Sequence, residues 1–274
     1  MWSPGWRRPR LSAETGAGGR FSDRSPVGWP PGYGRRLLSE VDSTMQEGAR
    51  IAPGLAGPEW ILAGFQTGGR GRRGRPWVSP RGNFHASLVM RPAGPATQAA
   101  LRSFVAALAL AEALAELTGL PGSVSLKWPN DVLFNGGKIA GILLESVGQG
   151  GAVAHLVIGI GVNLIAAPAA DEVEPGAVRP VSLLAETGIR VAPENLLTAL
   201  AAGFARWEAR FAAGGFAPVR AAWLAQAARL GEEITARTGP RTRRGVFEGI
   251  DEGGALILRT AAGREAIPAA EVFF

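Results

Sequence analysis

Apolar positions fall into blocks of definite length and period from Leu37 onward. Residues 60–65 and 84–90 are short apolar runs of strand length. Residues 95–118 form a longer, alanine-rich run that carries Arg102, Glu112 and Glu116. A membrane span needs about 20 nearly uncharged residues, so this run predicts a buried helix. Residues 123–128 and 132–134 read as extended, and Asn135-Gly136-Gly137 is a hairpin turn signal. Residues 139–146 and 153–163 suit central strands, while 193–213 and 218–230 predict helices with prolines near their starts. Asp42-Ser43-Thr44 ahead of residues 45–52 is a helix N-cap signature.

After Gly231 the pattern changes. Residues 233–237, 243–250, 255–259 and 265–267 are short strands, the last three separated by glycine turns, and predict a small β-barrel-like module. Residues 1–36 hold no persistent apolar period and are rich in Gly, Pro, Ser and Arg, which predicts a disordered extension. The expected domains are therefore 1–36, a main domain at 37–230, and a C-terminal domain at 231–274.

Composition narrows the chemistry. With 274 residues, 46% hydrophobic and 19% charged, the chain suits one or two globular domains. The absence of cysteine excludes disulfides, thiolate metal sites and a catalytic thiol. His85 and His155 are the only histidines, which argues against a multi-histidine metal centre. The simplest setting is cytoplasmic. The net charge of +6 sits mostly in residues 1–36, where seven arginines face two acids, so it does not describe a basic binding face. Lys127 and Lys138 are the only lysines beside 27 arginines. A compact ammonium differs from a planar guanidinium, so two such lysines close in sequence suggest sites where arginine would not serve.

Three clusters can carry chemistry. The first is residues 66–77, from Gln66 through Arg70, Gly71, Arg72, Arg73 and Arg75 to Trp77. Its glycines let backbone N–H groups approach an anion, its arginines pair with phosphate or carboxylate, and Trp77 offers a stacking face. A flexible RGG-like segment or a solvated basic loop is the plainer alternative. The phosphate-loop pattern is not matched. The second cluster holds Lys127, Asn130, Asp131, Lys138, Gly141 and Glu145. Its lysines end apolar strands, Gly141 allows close approach of another group, and Asp131 and Glu145 are candidates to hold Mg2+ or pair with the lysines, or simply solvated charges. The third is Ile158-Gly159-Ile160-Gly161-Val162-Asn163, whose glycines leave one strand face flat for a ring-shaped ligand or for dense sheet packing.

In this order and spacing the clusters resemble the biotin protein ligase (biotin–[acetyl-CoA carboxylase] ligase) family over about residues 37–274. The resemblance implies an α+β fold. A mixed sheet with flanking helices, similar to class II aminoacyl-tRNA synthetases, carries a small SH3-like β-barrel C-terminal domain. It implies that biotin and Mg-ATP give biotinyl-5′-AMP, and that a lysine of a biotin carboxyl carrier protein then takes the biotin. Ser43 and Thr44 match a biotin-contacting pair, Met45 offers its backbone beside them, and Gln66 matches the glutamine at the ureido side. Arg70, Gly71 and Arg72 match the loop that closes over biotin and the acyl phosphate. Gly141, Gly159 and Gly161 fall to the biotin side. Arg72, Arg73, Arg75 and Lys127 fall to the ATP side. Trp77 matches the tryptophan against the adenylate, Asn130 an adenine-side asparagine, and Asn163 an asparagine near the nucleotide. Lys138 matches the lysine at the reacting carboxylate and phosphate, and with Arg70 and Arg72 is the implied catalytic set.

There are departures. Many members have asparagine where Met45 stands, and tyrosine is common at His85. Residues 1–36 cannot form three packed helices, so neither a helix-turn-helix domain nor DNA binding is expected. No membrane partner is expected, and relatives include monomers and homodimers. A lipoate ligase would share the fold and the adenylation logic, but the glycine–arginine loop favours biotin. An octanoyl transferase of the same superfamily would need a cysteine. An Arg/Gly-rich RNA-binding module would predict basic charge throughout, and residues 37–274 are nearly neutral.

Overall fold

The computed structural model describes residues 28–92, 94–147, 153–169, 172–174, 176–239 and 241–274. A seven-stranded mixed sheet runs in the order β1-β2-β3-β7-β6-β5-β4. Its strands are β1 (Gly34–Leu38), β2 (Glu59–Ala63), β3 (Phe84–Met90), β4 (Val124–Lys127), β5 (Asp131–Phe134), β6 (Gly137–Val147) and β7 (His155–Val162). Only β1 and β2 are parallel, because α1 (Thr44–Ile51) crosses between them.

Each face of the sheet has its own cover. Phe84, Ala86 and Leu88 of β3 face a core that includes α3 (Arg102–Thr118), α5 (Pro193–Gly214) and α6 (Phe216–Leu224). Val89 and Val157 turn the other way and pack with Met45 and Ala52 from the α1 side. The remainder of that second face is open and forms the site described below. The expected helix at 95–118 is two pieces, α2 (Ala96–Ala100) and α3, meeting at Leu101. A short α4 (Leu183–Thr187), capped by Ser182, was not expected.

The expected helix at 218–230 stops at Leu224. The chain beyond it pairs with the edge strand β4: Leu126 N–H donates to Gln226 O at 2.8 Å, and Ala228 N–H donates to Leu126 O at 2.8 Å. An unpaired strand edge is costly to leave open, and this pairing outweighs another helical turn. The C-terminal domain is a five-stranded antiparallel sheet in the order β11-β10-β9-β8-β12, built from β8 (Glu233–Thr238), β9 (Arg241–Ile250), β10 (Leu256–Thr260), β11 (Gly263–Ile267) and β12 (Glu271–Phe273). It joins the main domain through Trp128, whose indole N–H donates to Gly254 O at 2.9 Å. Among the described residues no helix is long and apolar enough to cross a membrane.

The N-terminal boundary needs correction. Residues 1–27 of the expected disordered extension lie outside the described residues. Residues 28–36, however, include the start of β1 at Gly34 and the ring of Trp29, which packs against the core and donates from Nε1 to Tyr33 O at 2.8 Å. Trp29→Ala should lower the unfolding free energy by on the order of 2 kcal/mol, less than for a fully buried tryptophan. An unchanged urea midpoint would show that this segment adds no stability.

Candidate active site

One transverse row of residues makes the floor of the site. Reading across the paired strands, His85 of β3 stands opposite Gly161 of β7, Gly161 opposite Gly141 of β6, Gly141 opposite Asp131 of β5, and Asp131 opposite Lys127 of β4. Residues directly opposite in antiparallel strands share a face. A polar end with an ammonium and a carboxylate, a bare middle of two glycines and an imidazole end therefore line up on one surface. The bare middle is where Trp77 lies. A Cβ on Gly161 would meet its indole Nε1 at 2.6 Å, and one on Gly141 its Cζ3 at 3.4 Å. Gly159, one step along β7, leaves room for Met45, whose Sδ would be 2.6 Å from a Cβ there. Gly161→Val should push the indole off the floor without disturbing the helix-covered face. Adenylate formation should fall about 100-fold, the scale of an ångström-sized misplacement. The melting temperature should stay near wild type, and near-wild-type turnover would show that the seat is not needed.

Lys138 reaches this face through a register shift. Val132 pairs with Ala140 but Leu133 pairs with Lys138, so Ile139 is an extra residue in β6. Such a bulge re-aims the side chains on one side of it. Ile139 and Ala140 both enter the core, and Lys138 turns to the site, where its Nζ is 2.7 Å from Asp131 Oδ1. Lys127 Nζ is 3.5 Å from Asp131 Oδ2, so one buried carboxylate bridges the only two lysines. Burial alone would raise the Asp131 carboxyl, but the two ammonium groups outweigh it and hold the group below its ordinary value. Burial lowers the Lys127 ammonium, with the Asp131 charge opposing.

At the other end of the cavity, Ser43 caps α1 by accepting from Met45 N–H at 3.3 Å. Thr44 donates from its backbone N–H (2.8 Å) and its hydroxyl (3.1 Å) to Gln66 Oε1. Gln66 Nε2 donates to Ser79 Oγ at 3.1 Å, and Ser87 Oγ donates to Thr44 Oγ1 at 2.8 Å. The result is a fixed set of hydroxyl and amide groups at a helix start, suited to a small polar head group.

The glycine–arginine loop folds back on itself between these ends. Gly71 N–H donates to Arg75 O at 2.8 Å and Trp77 N–H to Gly69 O at 2.9 Å. Arg70 lies 3.9 Å from Glu145. Arg72 donates weakly to Asn130 Oδ1 and to Ala270 O, both at 3.4 Å, and burial lowers its pKa. Arg73 pairs with Glu271 at 2.9 Å, and Arg75 with Glu174 and Glu271 at 2.8 Å each. Arg237 closes the cluster by pairing with both of these carboxylates. The loop is thus clasped to β12 and to the 172–174 segment.

These groups surround a cavity of about 590 Å³. The two family models cover most of the chain: the Biotin/lipoate A/B protein ligase family matches residues 38–163, and the Biotin protein ligase C terminal domain matches residues 230–274. A biotin–[acetyl-CoA-carboxylase] ligase of Paracoccus denitrificans is 59% identical over 87% of this chain and 99% of its own length. The chain belongs to the biotin protein ligase family. A second relative of the same name, from Mycobacterium tuberculosis, is 32% identical over 77% of both chains. Among solved structures, the biotin protein ligase of Aquifex aeolicus in complex with biotin and ATP superposes with a TM-score of 0.74 at 28% identity, over 87% of this chain and 97% of that one.

The ligase brings nearly all of the residues singled out from its sequence to this one cavity. Ser43, Thr44, Met45, Gln66, Arg70, Gly71, Arg72, Arg75, Trp77, Lys127, Asn130, Lys138, Gly141, Gly159, Gly161 and Asn163 line it. Arg73 does not line it; its φ of 57° turns the side chain toward Glu271. Asn163 is buried and donates from Nδ2 to Val181 O at 3.1 Å, pinning the chain after β7 beside the cavity. Asn130 donates from Nδ2 to Ile142 O, which holds it at the mouth of β5. Of the two carboxylates considered for Mg2+, Asp131 pairs with the lysines and Glu145 faces Arg70. Sequence reasoning did not find Glu174, Glu271 or Phe273 in the lining. A glutamate in a loop and another near the chain end carry no local signal of convergence.

Proposed function

We propose that this ligase activates biotin with ATP as biotinyl-5′-AMP and then transfers the biotinyl group to one lysine of a biotin carboxyl carrier domain, as found in acetyl-CoA carboxylase. The observation that carries this reading is the convergence of Lys127, Lys138, Arg70, Arg72 and Arg75 on a cavity whose floor is glycine. In the first step a biotin carboxylate oxygen bonds to the α-phosphorus of ATP and pyrophosphate leaves. Two anions must meet, and preplaced cations stabilise the charge that develops between them. Lys138 faces the reacting carboxylate and α-phosphate, with Arg70 and Arg72 closing from the loop. Lys127 and Arg75 serve the phosphate side, and Asn130 and Asn163 the nucleoside; Arg73, turned to Glu271 outside the cavity, takes no part.

Ser43, Thr44, the Met45 backbone and Gln66 take the ureido head, and the bare strand positions Gly141, Gly159 and Gly161 let Trp77 and Met45 sit low on the floor, beneath the rings and chain of biotin. Trp77 covers the adenylate and keeps water from the anhydride. In the second step the carrier lysine amine, as the free base, attacks the acyl carbon; the amide forms, AMP leaves and the amine loses a proton. No enzyme nucleophile is needed, which suits a chain without cysteine. Mg2+ enters on the triphosphate as part of the substrate. The reaction belongs to the cytoplasm, where ATP is supplied.

The test is intact-mass analysis of a carrier domain incubated with the ligase, biotin and Mg-ATP. One biotinyl group should add, and none should add when the target lysine is replaced by arginine. A carrier left unmodified while biotin and ATP are consumed would contradict the transfer step.

A further inference from the structure

His85 has no role in that reaction and does not line the cavity, yet it stands directly beside Gly161 of the cavity floor. The Trp77 indole lies along the transverse row of that floor, its six-membered edge over Gly141 and its Nε1 over Gly161. The N–H edge is therefore the one nearer β3, where His85 stands opposite Gly161. His85 is only 1% exposed, and its Nε2 lies 3.3 Å from Pro80 O. A carbonyl only accepts, so Nε2 carries the hydrogen and Nδ1 presents a bare lone pair. Burial lowers the imidazole pKa, which keeps the ring neutral. Both His85 Nδ1 and Trp77 Nε1 are buried without a hydrogen-bond partner. An unmatched acceptor and an unmatched donor thus share one row of the sheet, and leaving either unpaired in a closed site is costly.

We propose that His85 Nδ1 accepts the Trp77 indole N–H when the glycine–arginine loop settles over its ligands, which makes His85 a positioning residue for adenylation. The imidazole would then hold the loop at two points, Pro80 through Nε2–H and Trp77 through Nδ1. One neutral ring supplies the donor and the acceptor together, which a phenyl ring of similar size cannot do. This inference rests on the ligase reading, because Trp77 must cover the adenylate for its placement to affect the reaction.

The experiment compares His85→Phe, His85→Gln, Trp77→Phe and the double variant His85→Phe/Trp77→Phe in biotin-dependent exchange of pyrophosphate into ATP. His85→Phe should raise KM for ATP about tenfold, roughly one buried hydrogen bond, with little change in kcat. His85→Gln keeps a donor and an acceptor and should recover to within about twofold of wild type. The double variant should be no worse than Trp77→Phe alone, since the two residues act through one bond. Strict additivity, or a glutamine variant as impaired as phenylalanine, would overturn the proposal. Absence of exchange in the wild type would instead refute the ligase reading. Where a variant fails to fold, the wild-type 15N indole resonance of Trp77 decides: it should shift downfield on loading biotin and ATP, and an unmoved resonance would overturn the bond.

Discussion

Lys138→Ala should slow biotinyl-5′-AMP formation by a factor of about 30 to 1,000, equivalent to roughly 2–4 kcal/mol of transition-state stabilisation. The Lys138 ammonium is placed on the site face by the extra residue at Ile139 and held by Asp131 at 2.7 Å. In the proposed reaction it is thus fixed in advance beside the reacting carboxylate and α-phosphate. Lys138→Arg should not restore the rate, because the guanidinium is longer, planar and less compact. Single-turnover formation of the adenylate is the measurement. A rate within about twofold of wild type for the alanine variant would remove Lys138 from the chemistry.

Asp131→Asn should cost stability as well as activity. Asp131 is the only acid that either lysine contacts among the described residues, and Lys127 is itself buried. Removing the carboxylate leaves the Lys127 ammonium beside Lys138 and Arg72, whose charges already oppose it. Breaking a buried pair by deleting one partner typically costs about 3–5 kcal/mol, and urea unfolding at neutral pH should show a loss on that scale. The acid limb provides a second check. The folded pKa of Asp131 is depressed, so its stabilisation is complete above the unfolded carboxyl value of about 4 and is lost as pH falls through the lower folded value. The wild type should therefore lose more stability than Asp131→Asn on acidification below about pH 4. Parallel acid limbs would show that the carboxylate does not carry the pairing.

Much of this site was legible in the sequence because its signals are local. A glycine–arginine run, two isolated lysines and alternating glycines are compositional facts, and strands β3, β6 and β7 announce themselves by apolar length. What escaped was set by contacts between distant segments. β1 offers only Leu37 and Leu38 as apolar residues and is recognisable as a strand only through its pairing with β2. β12 is three residues long, too short for an alternating pattern to show. Strict alternation along β6 would have sent Lys138 into the core, and only the register shift against β5 shows why it does not. The clasp of Arg73, Arg75 and Arg237 by Glu174 and Glu271 joins four segments separate in sequence, each an ordinary charged stretch alone. His85 drew attention as one of two histidines and as a departure from the resembling family; its place beside Gly161 needed the strand register.

Exchange of labelled pyrophosphate into ATP by the purified chain with Mg2+, run in parallel with biotin and with lipoate, decides which acid the chain adenylates. Exchange that depends on biotin and is not supported by lipoate is the predicted result. Exchange with lipoate alone, or none with either acid from folded protein, would contradict biotin adenylation by this chain.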